Sequence, residues 1–362
     1  MKIPLNVPLY IFLVSMAFFG FLFSLFLGQD ISLSVFLIFI GIGGLILSFY
    51  ILYVKNGNKT FICPTGSDCN KVIFSEYSKF FGVPLEYLGI LYYAFITVLY
   101  SLLIFYPALV PASVIFLGIT ATAGAFLFSL YLTSIQAFAL KQWCMWCLLS
   151  ALFSTTIFIV SLGKLSAGLA FIVKILPGLL VTHLLGFALG LGGITLIAVL
   201  MSKFLKDFRI SESELGIIKT VFEVIWFSLA TVVLTEFAIY LTSPIALASS
   251  PEFMTKILAI GLIAVLGVVI NLVILPLLTA ISFDEKIGSG NKEFRQLRKI
   301  SFGVGAVYIT SWYFAFALDV IPTLGVNHKS LLTTYSIVLL GAILASQIGD
   351  YLIIDRVKNK IK

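Results

Sequence analysis

The chain has 362 residues, of which 60% are hydrophobic and 11% charged, and its mean hydropathy is +1.14. Soluble globular domains do not carry that balance, and the apolar residues fall in runs of about 20, each long enough to cross a bilayer as a helix. The net charge of +7 is therefore read against a membrane, where basic residues mark the cytoplasmic face and meet anionic lipid head groups, and not as a nucleic-acid footprint.

The expected fold is an all-α polytopic membrane protein of about ten transmembrane helices, with no run of short alternating segments that a membrane barrel needs. Spans are expected at 8–27, 31–54, 84–106, 111–139, 145–163, 176–202, 217–242, 256–281, 300–321 and 331–353. The first apolar run follows one basic residue, Lys2. It is too long for a signal-peptide core and lacks an Ala-x-Ala site, so it is read as a retained span. The segment 55–83 is the longest polar stretch of the first half and holds Cys63 and Cys69. From Asn70 to Phe81 the spacing of Val72, Ile73, Phe74, Tyr77, Phe80 and Phe81 predicts a short amphipathic helix in the membrane interface. Pro84 then opens the next span, a good first-turn position. The segment 163–175 reads as a loop, an interfacial helix or the start of a span.

Only four cysteines occur, Cys63, Cys69, Cys144 and Cys147. The last two form a Cys-x-x-Cys pair flanked by Trp143 and Trp146, where the polar Lys141 and Gln142 give way to an apolar helix. That spacing puts both sulfurs on one face of a helical turn, and a helix N-terminus stabilises a thiolate. By alternation of the spans, both cysteine pairs lie on the same membrane face. Three readings stand open. The four sulfurs could hold a structural zinc, could be static disulfides stapling the loop, or could form a relay in which one pair reduces the other. A catalytic metal is disfavoured, because no His lies nearby and the adjacent carboxylate is Asp68.

The surroundings of these cysteines resemble the vitamin K epoxide reductase family, in its prokaryotic disulfide-forming branch. The resemblance rests on Cys63-x5-Cys69-x5-Ser75, then Tyr77-Ser78, Phe81-Gly82-Val83-Pro84, Leu88-Gly89 and Tyr92-Tyr93 entering a span, and Cys144-x-x-Cys147 opening the last helix of a four-helix bundle. It covers about residues 31–165, leaving 1–30 as an extra N-terminal span and 166–362 as a five-span domain of unknown role. It implies a membrane dithiol:quinone oxidoreductase that makes protein disulfides. Cys63 and Cys69 would take electrons from a thioredoxin-like protein, Cys69 would exchange with Cys144, and Cys147 would face a ubiquinone- or menaquinone-type quinone, with Ser75 assisting by hydrogen bonding. No metal is expected. No thioredoxin-like segment is found in these residues, so the expected partner is a separate chain, beside membrane lipid and the quinone pool, and no nucleic acid. Two positions depart from the animal enzymes: Ala151 stands where they carry a tyrosine, and Leu85 where they carry an asparagine. Both departures favour plain quinone reduction over epoxide reduction. The competing reading is a membrane transporter or scaffold whose cysteines bind zinc or are structural.

Several residues have two readings each. Trp146 and Trp143 would touch the quinone or sit in an interfacial aromatic belt. Glu86 would reach quinone polar atoms or face the interface. Lys141 would lower the pKa of Cys144 or be a solvated charge. Phe80, Phe81, Tyr92 and Tyr93 are read as packing. In the second half His183, Glu236 and Asn271 fall inside spans, with Glu223 and Asp350 near them; intramembrane ionisable groups are functional candidates. Most of the 23 Lys and Arg residues fall on the face shared by the termini and both cysteine pairs. Lys164, Lys174, Lys256 and Lys329 fall on the other. The distribution predicts that the cysteine face and both termini are cytoplasmic, an unexpected compartment for a disulfide-forming site.

Overall fold

The structure, a computed structural model, describes residues 6–57, 60, 63, 68–204, 212–277, 292–321 and 326–361. The protein is an all-α polytopic membrane protein. The helices are α1 (Asn6–Ser24), α2 (Gln29–Asn56), α3 (Cys69–Ile73), α4 (Leu85–Phe105), α5 (Ala112–Ser134), α6 (Met145–Ser161), α7 (Leu165–Phe204), α8 (Glu212–Thr242), α9 (Pro244–Ala248), α10 (Pro251–Val269), α11 (Lys292–Val320) and α12 (His328–Ile361). Among the described residues, nine of these are long and apolar enough to cross a membrane. With α6 they match the ten expected spans. At 17 residues, α6 is about 25 Å long, the short end of what spans a hydrocarbon core. The segment 163–175 is resolved as helix: after one 3-10 turn at Leu162–Lys164 it begins the 40-residue α7.

The chain divides into two compact units, Met1–Leu176 and Pro177–Lys362. In the first, α2, α4, α5 and α6 form a four-helix bundle, and α1 lies against α2. Leu37, Ile40 and Leu47 of α2 meet Tyr93 and Ile96 of α4 and Phe153 and Ile157 of α6 in its core. A close approach makes this possible at Gly44, where a Cβ would run into the ring of Tyr93. Glycine is the residue that lets α2 and α4 come this near. The Tyr93 hydroxyl then reaches across to α6, 2.9 Å from Ser150 Oγ and 3.0 Å from its carbonyl oxygen. Thr122 of α5 and Ser161 of α6 make a second buried bridge at 3.1 Å.

The amphipathic helix expected over 70–81 does not form. Helix α3 ends at Ile73, one 3-10 turn covers Glu76–Ser78, and a two-stranded hairpin follows, pairing Phe80 with Val83 and Lys79 with Pro84. Its turn residues, Phe81 and Gly82, have φ of 47° and 79°. Two successive positive φ values are what a two-residue hairpin turn requires, and the residue before a proline resists the helical region. The Phe-Gly-Val-Pro run therefore overrides the helical spacing. Pro84 accordingly caps α4 from outside, in extended backbone, and Leu85 is its first residue.

In the second unit Phe187 of α7, Ile225 and Val232 of α8, Ile263 of α10, and Tyr308 and Trp312 of α11 form the core. A π-helical stretch, Ile270–Ile274, holds Asn271 and continues α10. Expected loops at 203–219, 282–299 and 322–330 lie partly outside the described residues.

Candidate active site

All four cysteines belong to one packed cluster in the first unit. Cys63 and Cys69 are joined as a disulfide, with Cα atoms 5.8 Å apart. Cys69 is the first residue of α3 and is held there by Asp68, whose Oδ1 accepts the Lys71 backbone N–H at 3.2 Å. Cys144 and Cys147 are free thiols. With Cys63 and Cys69 bonded to each other, two of the four sulfurs that a zinc site would need are already used.

The helix pair is placed by its local backbone. A π-helical segment, Ile135–Leu140, follows α5 and turns Gln136 into the bundle, where it is buried. Such segments widen the helix by one residue and are frequent at functional sites. Lys141 then takes a left-handed conformation, φ 50° and ψ 37°, which stops the helix and reverses the chain. Gln136 Oε1 accepts the backbone N–H of Cys144 at 2.8 Å, so the π segment anchors the first cysteine directly. Cys144 is the N-cap of α6: its Sγ accepts the Cys147 backbone N–H at 3.3 Å and the Cys147 thiol at 2.8 Å. The Cys147 thiol donating to its sulfur, with the backbone N–H groups of the first turn, holds the Cys144 thiol below its ordinary pKa despite burial. Lys141, read either as lowering this pKa or as a solvated charge, is exposed and is not among the causes of the shift.

Beside Cys147 lies a cavity of about 370 Å³ walled by α2, α4, α5, α6 and the loop between α2 and α4. Most of its wall is apolar, with polar groups on the loop side. There Lys55 Nζ donates to Glu86 Oε2 at 3.1 Å and to Ser78 Oγ at 3.3 Å. Glu86 is 8% exposed, so this carboxylate is compensated and not free to face the interface. Ser75 and Tyr77 line the same side; Ser75 Oγ donates to the Val72 carbonyl at 2.7 Å. Burial raises the Tyr77 pKa, keeping its phenol protonated. Tyr92 also lines the cavity, and its hydroxyl is buried with no hydrogen-bond partner among the described residues. A buried donor without an acceptor is uncommon and asks for an explanation.

The expected site residues are thus distributed unevenly. Cys147, Ser75 and Glu86 line one cavity; Cys144, Cys69 and Cys63 do not line it but pack in the same cluster. Trp146 does not line it either. Its ring is fully buried on another face of α6, at 5.5 Å from Tyr10 and 4.8 Å from Tyr50. That corrects both readings of Trp146, as a ring against the cavity and as a belt residue; Trp143, 46% exposed, is the one that faces outward. Ala151 and Leu85 do line the cavity, so both departures remove polar groups from its wall. Three residues escaped sequence reasoning. Tyr92 was read as packing, Lys55 as a topological charge, and Gln136 carried no reading, although an amide inside an apolar helix eight residues before Cys144 is a usable signal.

Comparison with curated proteins and with solved structures found no match. Comparison with protein families found one: residues 35–162 match the vitamin K epoxide reductase family. The matched stretch contains both cysteine pairs, α4, α5 and α6, and all but the first turns of α2. Over these residues, about a third of its length, the chain is similar to the vitamin K epoxide reductase family.

Proposed function

We propose that the chain is a membrane dithiol:quinone oxidoreductase that generates protein disulfides, with its redox centre in residues 31–165. The observation that carries this is Cys147 in the wall of a largely apolar cavity of about 370 Å³, hydrogen-bonded through its thiol to a second, N-capping cysteine. The cavity suits a flat, largely apolar ring: helices wall it, and the unpartnered Tyr92 hydroxyl offers a ring carbonyl a donor. The quinone would supply a two-electron, two-proton acceptor. Ser75, Glu86 and Lys55 would set the polar edge of the cavity, and Cys147 would present its sulfur to the ring.

The chemistry of the chain's own residues runs by thiol–disulfide exchange. A dithiol of a thioredoxin-like partner reduces Cys63–Cys69, leaving the partner with a disulfide. Cys69, as thiolate, attacks Cys144 of an oxidised Cys144–Cys147 pair and expels Cys147 as thiolate. Cys63 then attacks Cys69, re-forming the loop disulfide and releasing Cys144. The helix pair, now reduced, would close again on giving two electrons and two protons to a quinone held in the cavity. A bonded loop pair with a free helix pair corresponds to the point after the loop has been reoxidised. Cys144 is suited to its part because a stabilised thiolate is a good leaving group. We also place the cysteine face in the cytoplasm. By alternation of the spans, Lys55, Lys71, Lys79 and Lys141 would share that face in the first unit, against Lys164 and Lys174 on the other.

Quinone consumption by the purified protein, driven by a reduced thioredoxin-like protein, tests the reading. Turnover is expected to fall to the uncatalysed background in Cys147→Ala. Undiminished turnover in that variant would overturn it.

A further inference from the structure

The second unit gathers four ionisable side chains from four helices inside its membrane-spanning region: His183 of α7, Glu236 of α8, Lys256 of α10 and Asp319 of α11. His183 and Glu236 are each 2% exposed. His183 Nε2 lies 3.1 Å from Glu236 Oε2 and 3.2 Å from Asp319 Oδ2. Lys256 Nζ lies 2.8 Å from Glu236 Oε2 and also pairs with Asp319 Oδ1. Lys256 is therefore no loop charge, as its place near a span end suggests, but a buried partner of two carboxylates.

The hydrogen-bond partners show which protons the cluster can accommodate. His183 Nδ1 is 2.7 Å from Thr235 Oγ1. That hydroxyl has one proton and spends it on the backbone, with the Thr231 carbonyl at 2.7 Å and the Val232 carbonyl at 3.1 Å. It therefore accepts from Nδ1–H. On the other side of the ring, Nε2 faces two carboxylate oxygens, which only accept. With the Thr235 proton on the backbone and both carboxyls ionised, both ring nitrogens have acceptors, so the geometry suits an imidazolium. With His183 and Lys256 positive and Glu236 and Asp319 negative, the cluster is neutral. Without the Nε2 proton it keeps one negative charge in a medium where that is costly. Glu236 Oε1 adds an independent sign. Like Oε2, which meets Lys256 and His183 by ion-pair distance alone, it is buried and makes no hydrogen bond among the described residues, so this carboxylate retains room for a proton.

The cluster is least buried on one side. It lies toward the end of the unit where α8 stops at Thr242, α10 begins at Pro251 and α11 stops at Val320. The side chains of Asp319 and Lys256 are 15% and 11% exposed, those of His183 and Glu236 3% each. Exposure thus falls from Asp319 inward. We propose that this cluster is an intramembrane proton-binding site, with His183 as the proton carrier, reached through Asp319 from that end. The second unit then has a proton-coupled activity of its own, separate from the thiol chemistry. The groups that face His183 are Thr235 and Glu236 from α8, Asp319 from α11 and the Phe187 ring of its own helix; Lys256 from α10 joins the two carboxylates. A divalent cation is the competing ligand, since His183, Glu236 and Asp319 offer donor atoms within 4.8 Å of one another. The Lys256 ammonium bridges those same carboxylates where a metal would have to sit, and this favours the proton.

The chain holds two histidines, His183 and the exposed His328, so the site can be read directly. Full-length protein carrying ring-labelled histidine and the His328→Asn change, in lipid nanodiscs, gives one imidazole signal by nuclear magnetic resonance. The expected result is a reversible change from imidazolium to imidazole as pH is raised from about 5 to about 9, the range histidine reports. In Glu236→Gln or Asp319→Asn the midpoint is expected to fall by about one to three pH units, because each change removes a charge that favours the cation. A His183 signal that never changes over that range, while the protein stays folded, overturns the proposal without recourse to the variants. Equimolar zinc retained after dialysis against zinc alone, with loss of the titration, also overturns it in favour of a metal site.

Discussion

Cys144 and Cys147 differ although they share one helical turn. Cys144 sits ahead of the helix and collects the thiol of Cys147 and a backbone N–H, while Cys147 lies against the cavity. A depressed pKa means that the Cys144 thiolate persists as pH falls, until the pH passes the lowered value. In reduced protein with Cys63 and Cys69 replaced by serine, the ultraviolet thiolate absorbance is therefore expected to vanish only below the ordinary cysteine value of about 8.5. Replacing Cys147 by alanine removes the donated hydrogen bond and should move the loss upward. A single transition at the ordinary value in both proteins would show that the arrangement does not stabilise the thiolate. Tyr92 is the other residue at this scale. If its hydroxyl serves the quinone, Tyr92→Phe is expected to slow quinone turnover about ten- to hundredfold while leaving exchange between the two cysteine pairs intact. Equal slowing of both would place Tyr92 in the packing instead.

At the scale of elements, the bundle depends on how near α2 and α4 approach. Gly44→Ala would put a methyl group into the Tyr93 ring. It is expected to cost about 1–3 kcal/mol, seen as a lower midpoint of thermal unfolding in detergent, and to disturb the Tyr93 bridge to Ser150. The long helices were legible in the sequence because each is a continuous apolar run, and length alone separates a span from a loop. The loop between α2 and α4 was not. Its residues Val72 to Phe81 repeat at helical spacing, but two positive φ angles at Phe81 and Gly82 and the proline after Val83 break the helix, and spacing carries no record of φ. Likewise the motif spacing pointed to Cys147 and Ser75, whereas the direction of Trp146 depends on which face of α6 meets α1 and α2, a tertiary fact. Glu86 was placed near the site but without its partner. Lys55 lies 31 residues away in sequence, and only the bundle brings the two together.

At the scale of the whole molecule, two compact units, Met1–Leu176 and Pro177–Lys362, carry two different buried polar centres, one built on sulfur and one on a charge cluster. Sidedness belongs to this scale. If the cysteine face is cytoplasmic, a thiol reagent that cannot cross membranes should leave Cys63 and Cys69 unlabelled in intact cells after reduction, and label them in inverted vesicles. Labelling in intact cells would reverse the assignment. The central claim is narrower: electrons pass between the loop pair and the helix pair through Cys69 and Cys144. Disulfide mapping by mass spectrometry in Cys63→Ser, after the helix pair has been oxidised with quinone, tests it most directly. With no Cys63 to resolve it, a Cys69–Cys144 disulfide is expected to accumulate, with Cys147 free. Cys69 remaining a free thiol beside an intact Cys144–Cys147 disulfide in every molecule would contradict the relay.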